Sequence, residues 1–367
     1  MRCQGGWLYP HFYERWGWLI IFSPVPSPRP SPLRHNQTTM IRPYVACNIY
    51  VSAGSEVGHA PILLDLLRKA QLACRPRECV VVKAFADRAY NRSSFHLAGR
   101  ADHLSKVAAQ LAKHALESIR VFSSNKAATS EQLHHPFVGF VDHVSIMPIE
   151  GIDNADQNQG STAFQPSTPS GMAADHVGSV LEEAGVLVYY YGNAHPQGMP
   201  LAHVRKEKTQ FFKSGGLAEA ASLSQHQDVA TVGAPLEFVE NYNIRLSAAC
   251  PKKTAYSLTR SVRERDGGLS GVEALTLPYS EGRWEVACNL LHPQLASTRD
   301  IDRIVQDWAK DGRQGLVETS YRVGTTAEQC RQAILSLDQA ALNTHNQKVR
   351  ADLASYLDGS MDGSSEC

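Results

Sequence analysis

The segment His134-His135-Pro136-Phe137-Val138-Gly139-Phe140-Val141-Asp142-His143 gathers three histidines and an aspartate at one place in a 367-residue chain. Imidazole exchanges protons near neutral pH, so acid–base chemistry belongs here if it occurs at all. Pro136 fixes the backbone direction beside His135 at the entrance to an apolar run, and Asp142 is placed to reach the same end of the sheet. The plain alternative is that these are solvated loop histidines. A metal-ligand reading is weaker, because His135 and His143 would lie roughly 26 Å apart on an extended run. No metal site is expected. The chain has no Gly-x-Gly-x-x-Gly after a strand, no Walker loop and no Gly-x-Ser-x-Gly elbow, so nucleotide and hydrolase readings lack their usual signals.

Arg92, Arg205, Arg245 and Arg283 are candidate binders of a ligand carboxylate, for which guanidinium geometry is best, although each alone reads more often as a surface charge. Asn241 and Asn243 alternate on one strand face and offer hydrogen bonds to a heterocycle or to a neighbouring loop. Tyr189-Tyr190-Tyr191 offers a stacking surface or ordinary core, and Lys252-Lys253 reads as a surface pair at a helix start.

These residues sit in a chain of ordinary composition. Lys+Arg and Asp+Glu are 36 each, so the net charge is zero and any anion site must be local. Neither nucleic acid nor membrane is an expected partner. The eight cysteines include no Cys-x-x-Cys pair; Cys74 and Cys79 are near each other, but at no common zinc spacing. Reduced, buried thiols in a cytoplasmic protein are expected.

Residues 1–39 carry a short apolar run and then Pro24, Pro26, Pro28, Pro30 and Pro32, which reads as a disordered extension. From Met40 the periodicity sharpens. Strands are predicted at Val45–Val51, Cys79–Ala86, Ser93–Ala98 and Phe137–Ile149, with helices at His59–Ala73 and Ala101–Ile119, giving βαββαβ. Asp153–Ser170 reads as an inserted loop, Met172–Ala184 as a helix closed by Gly185, Val186–Tyr191 as a strand, and Lys206–Asp228 as ambiguous. The order βαββαβ recurs from Glu237–Leu246 through Thr254–Arg265, Val272–Leu277, Trp284–Leu291, a helix carrying Ile301 to Trp308, and Leu316–Val323, with a further helix from Ala327. The fold class is α+β: two tandem ferredoxin-like subdomains with antiparallel or mixed sheets and helices on one face. The expected division is an extension (1–39), a first subdomain (40–236), a second (237–340) and a helical or disordered tail (341–367).

Five segments then agree in order with one family. His135 to Asp142 is similar to the His-Pro-x-x-Gly-x-x-Asp signature of glutamate formiminotransferase, and Asn91-Arg92 resembles the Asn-Arg-Thr that begins that family's third strand. Val188–Ala194, Val232–Ile244 and Val286–Leu291 resemble its Val-Tyr-Leu-Tyr-Gly-Glu-Ala, Thr-Gly-Ala-Arg-x-Phe-Leu-Ile-Ala-Phe-Asn-Ile and Val-Ser-Thr-Asn-Leu-Leu segments. The resemblance implies a folate-binding cleft between two subdomains, a homodimer, and transfer of a formimino group from N-formimino-glutamate to N5 of tetrahydrofolate. It makes His135 the acid/base with Asp142 as partner, and Asn91, Arg92, Gly233, Asn241 and Asn243 the substrate-binding set. A binding paralogue without catalysis is the alternative, because Ala53, Phe137, Asn193 and Pro235 replace two carboxylates and two arginines of the pattern.

Truncation at Met40 is expected to leave the melting midpoint unchanged, measured by calorimetry; ~1 kcal/mol lost would lower it by ~2–4 °C.

Overall fold

A computed structural model describes residues 43–124, 135–149, 168–209, 228–310 and 312–362, all of them within one compact unit, Ile41–Cys367. The expected extension, and most of the 153–170 loop and of the 206–228 stretch, lie outside the described residues.

The first half is built on β1 (Tyr44–Val51), α1 (His59–Ala73), β2 (Cys79–Asp87), β3 (Arg92–Arg100), α2 (Ala101–Ser124) and β4 (Val141–Pro148). It continues through α3 (Pro169–Glu183), β5 (Leu187–Gly192), α4 (Leu201–Glu207) and β6 (Val229–Ala234). The strand order is β2-β3-β1-β4-β6-β5. Its first four strands are the antiparallel ferredoxin-like set, and β6 and β5 extend it by parallel pairing on β4. Alternation explains the inward face: Val45, Cys47, Ile49 and Val51 of β1 point one way and are buried. Leu63, Leu66 and Leu67 of α1, Leu104, Leu111 and Leu116 of α2, and Val177 and Leu181 of α3 pack on them, each worth ~1.5–3 kcal/mol of burial.

The second half comprises β7 (Glu240–Leu246), α5 (Lys252–Val262), β8 (Val272–Pro278), β9 (Trp284–Leu290), α6 (Thr298–Lys310) and β10 (Val317–Val323). Its order, β10-β7-β9-β8, is the same ferredoxin-like arrangement, antiparallel throughout. Leu258 and Val262 of α5 and Ile301, Val305 and Trp308 of α6 cover Tyr242, Ile244, Leu246, Val286 and Cys288.

Two C-terminal helices, α7 (Ala327–Ser336) and α8 (Gln339–Asp358), return to the first sheet. Cys330 and Ile334 of α7 and Leu342 of α8 pack with Ala46, Val80, Ala98 and Met147, on the sheet face opposite α1 and α2. α8 covers the outer edge of β2, where His345 Nε2 lies 2.9 Å from the Val81 carbonyl oxygen; an edge strand left open is a site for unwanted pairing.

The faces left free of α1–α3 and of α5–α6 are polar, and they face each other. Asn48, Tyr50, Ser94, His96, His143, Ser145 and Thr231 line the first, and Asn241, Asn243, Arg245, Glu285, Asn289 and Tyr321 the second. Tyr50 donates to Asn241 Oδ1 across the gap at 3.2 Å. Gly324 brings its backbone against the His96 ring, where a Cβ would come within 2.6 Å of Cε1; its φ of +95° also suits glycine.

At one end a buried network joins the sheets. Glu285 accepts from Tyr321 at 2.5 Å and from Asn243 at 2.7 Å, and Arg245 sits 3.4 Å from it while pairing with Asp362 at 2.6 Å. Asp87 accepts from the Tyr90 backbone at 3.0 Å and from the Tyr279 hydroxyl at 3.5 Å. Burial and the nearby Glu285 carboxylate push Asp87 up to about 7. Because the folded value exceeds the unfolded one, this group's contribution is full below about pH 4 and is lost as pH rises through about 7. Relative to Asp87→Asn, the wild-type melting midpoint is therefore expected to fall by a few degrees between pH 4 and pH 8. A pH-independent difference between the two proteins would refute it.

Candidate functional site

The site starts from an irregularity in β4. Tyr50 pairs with His143 but Val51 with Val141, so Asp142 is the extra residue of a bulge, which re-aims its side chain. Residues 135–140 are not strand, which corrects the expected strand from Phe137: β4 begins at Val141. The loop doubles back, with the Val138 N–H on Asp142 Oδ1 at 2.8 Å and the Ser52 N–H on the Phe140 carbonyl at 2.9 Å.

Asp142 has no exposure, and its Oδ2 is gripped by two guanidinium groups. Arg92 Nη1, from the first residue of β3, lies 2.6 Å away and Arg205 Nη2, from α4, 3.4 Å. Burial alone would raise this carboxyl; Arg92 and Arg205 outweigh it and hold it at about 2. The Arg92 guanidinium also lies over the Tyr50 ring at 4.6 Å.

His135 completes the group. Its Nδ1 is 3.2 Å from Arg92 Nη1 and 2.6 Å from the Pro136 carbonyl oxygen, and its ring meets that of Tyr90 edge-on at 5.2 Å. In the tautomer with its proton on Nδ1, that proton goes to the carbonyl and Nε2 keeps its lone pair. Burial, then the Arg92 charge, lower His135 to about 3, so the ring is neutral at pH 7. His143 is stacked between Tyr50 and Tyr191, with ring centroids 5.7 and 5.5 Å away, and its Nδ1 is 3.1 Å from Thr231 Oγ1. Burial and Arg205 lower it well below its ordinary value.

From the second sheet, Asn241 donates to Asn289 Oδ1 at 2.7 Å. Asn289 hydrogen-bonds Glu273, whose pKa burial raises. A polar chain therefore runs from Tyr50 through Asn241 and Asn289 to Glu273. On the first sheet Asn48 Oδ1 and His96 Nδ1 are buried and without a hydrogen-bond partner among the described residues, the His96 ring lying under the Gly324 backbone. Among the described residues no group of three or more His, Cys, Asp and Glu side chains is placed to hold a metal ion.

The structure thus brings together His135, Asp142 and Arg92, with Asn241 facing them. Arg92 lies between the other two, within hydrogen-bond distance of both. Asn91 is spent otherwise: with φ of +48° it closes the β2–β3 turn, and its Oδ1 accepts from the Ser55 backbone and hydroxyl at 3.0 and 2.9 Å. Gly233 makes room for Tyr191, since a Cβ there would stand 2.3 Å from the Tyr191 carbonyl oxygen. Asn243 belongs to the Glu285 network, as does Arg245. Arg283 pairs with Glu281 and Glu318. His134 lies outside the described residues. Sequence reasoning missed Tyr50, Tyr90 and Glu273, gave His143 no role beyond the weaker metal reading, and underrated Arg205. The signal available for Tyr50 and His143 was alternation, which sets both on the polar face of their strands.

Asp142→Asn leaves two cations facing one neutral amide inside the protein. A loss of ~3–5 kcal/mol in denaturant unfolding is expected, with Arg92→Ala milder because Arg205 still pairs the carboxylate. Equal, small losses would show that the pairing contributes little.

A 318-residue match to the formiminotransferase cyclodeaminase-like protein of Arabidopsis thaliana is 26% identical and covers 79% of this chain and 96% of that protein. Among solved structures, pitrilysin aligns at 11% identity and a TM-score of 0.21, over 86% of this chain and 39% of that one. The periplasmic protease PqqL from Escherichia coli aligns at 8% and 0.17, over 86% and 41%. Overlaps so slight carry no argument. The pattern of the formiminotransferase domain, N-terminal subdomain, matches residues 44–234, more than half of the chain, and spans the loop and strands that hold His135, Asp142 and Arg92. The chain belongs to the formiminotransferase domain family.

Proposed function

We propose that this chain is a folate-dependent one-carbon transferase that passes the formimino group of N-formimino-glutamate to N5 of tetrahydrofolate, with His135 as acid and base. The observation that carries the reading is the meeting of His135 and Asp142 with Arg92, more than 40 residues away in sequence, on the polar side of the first sheet. In this reaction His135 Nε2 takes the proton from N5 as the N5–carbon bond forms. It then returns it to the glutamate nitrogen as the old carbon–nitrogen bond breaks. Arg92, fixed by Asp142, presents positive charge to a glutamyl carboxylate. Asn241 offers a hydrogen bond to a pterin, and Gly233 acts through the Tyr191 it admits. Asn91 and Asn243 support the walls on either side. A homodimer, a cytoplasmic location and the division at residues 39, 236 and 340 belong to the same reading. Among the described residues no helix is long and apolar enough to cross a membrane.

A second reading, a folate- or metabolite-binding relative without turnover, is favoured by one specific observation. His135 at about 3 lies far below the range in which a general base works well near pH 7. Burial first, and the field of Arg92 second, work against its taking a proton. Phe137 and Pro235, where the family pattern carries arginine, point the same way.

Turnover with N-formimino-glutamate and tetrahydrofolate separates the two. For the transferase, His135→Ala is expected to lower the rate ~10²–10⁴-fold with folate affinity nearly unchanged, and His134→Ala to be mild. Equal losses for both histidines would place the acid/base elsewhere. Folate binding without turnover in the wild type establishes the second reading. No binding at millimolar folate removes both.

A further inference from the structure

Cys74 and Cys79 stand at no common zinc spacing, yet the structure brings their sulfurs together. Cys74 caps the C-terminal end of α1, with an extended backbone (φ −79°, ψ 149°), and Cys79 opens β2. Between them Arg75-Pro76-Arg77-Glu78 makes a tight turn closed by its own backbone. Arg75 N–H donates to the Cys79 carbonyl at 3.1 Å and Cys79 N–H to the Arg75 carbonyl at 3.0 Å. Glu78 N–H reaches the same Arg75 carbonyl at 3.1 Å, and Arg77 takes φ of +61°. The two sulfurs lie 3.8 Å apart, in contact and without a bond. A disulfide needs an S–S separation of about 2.05 Å, and the closed turn already holds the two sulfurs 3.8 Å apart.

We propose that Cys74 and Cys79 are a modification site: a dithiol that oxidises to an intramolecular disulfide stapling α1 to β2. The oxidant is a low-molecular-weight disulfide such as oxidised glutathione. Cys74, the more exposed of the two residues at 8% against 2%, attacks it as a thiolate, forming a mixed disulfide and releasing one glutathione thiol. Cys79 then attacks the Cys74 sulfur and expels the second glutathione, its proton passing to the departing glutathione thiolate. In sum, two protein thiols and one glutathione disulfide become one protein disulfide and two glutathione thiols. Contact with the Cys74 thiol and burial raise the Cys79 pKa well above its ordinary value, so this second step is slow. The staple bears on the C-terminal helix as well: Gln71, three residues before Cys74, donates to the Asn346 carbonyl at 2.9 Å and accepts from Arg350 at 3.0 Å.

The test equilibrates the full chain in glutathione buffers of graded redox ratio, alkylates remaining thiols, and maps cross-links by peptide mass. A link between Cys74 and Cys79, reversed by a dithiol reductant, is expected. With it the melting midpoint should rise by ~2–6 °C, because the bond restricts the unfolded chain and leaves the native turn unchanged. Cys74→Ser should abolish the link. The rival partner is Cys47, whose thiol acts electrostatically on Cys79; a link that survives Cys74→Ser is a Cys47–Cys79 bond and overturns the assignment. Persistent glutathione on Cys74, or two alkylated cysteines at every ratio, overturns the couple itself.

Discussion

A carboxylate without any exposure, Asp142, held between two guanidinium groups, is the interaction on which the rest of the site depends. A buried charge is tolerable only when its partners are close and its remaining lone pairs are used. Here they come from four places in the chain: the first residue of β3, the short helix α4, the returning loop at Val138, and the bulge that frees Asp142 from the strand ladder. Each of these elements is therefore constrained by one oxygen pair. His135 inherits its position from the same arrangement, because the loop that satisfies Asp142 also carries the imidazole to Arg92.

The same logic governs the whole fold. Each sheet hides an apolar face under its helices, and the polar faces that remain are turned toward each other. Two polar faces stay together only where their groups pair, and they do so at Tyr50–Asn241 and through the Tyr90, Tyr279 and Asp87 contacts at the Glu285 end. Apolar packing by α7 and α8 closes another side of the gap. What lies between is a zone of neutral histidines, tyrosine rings and arginines. In such a low-dielectric place a charged or strongly hydrogen-bonding ligand interacts more strongly than it would at the surface.

Much of this was legible in the residues. The helices of both halves announced themselves by a stripe every three or four residues, and the two βαββαβ runs stand in the structure as two sheets of like order. The first sheet is larger than expected. β6 lay beside a stretch read as ambiguous, and its companion α4 has only seven residues, too few for a periodic signal. The helix expected at Thr254–Arg265 starts earlier and stops at Val262, since helix ends depend on local capping more than on pattern. Asn91 illustrates the limit of motif reading: its type suits a left-handed turn as well as a ligand, and the turn is what it makes.

By itself the sequence determined which residues are able to hold or move a proton, which faces of helices and strands are apolar, and the order in which those elements follow. These are properties of composition and of the 3.6- and 2-residue periods, and they need no knowledge of distant contacts. Only the tertiary structure decided that Arg205 is a buried partner of Asp142 and not a surface charge, that Arg92 stands between His135 and Asp142, and that His143 is clamped between two tyrosines. It also decided that His135 and His143 belong to one charged cluster, where an extended chain would have set them roughly 26 Å apart. The reason is physical: a side chain's charge state and partners follow from burial and from neighbours far along the chain, and a strand bulge with a reversing loop erases the distance that spacing alone implies.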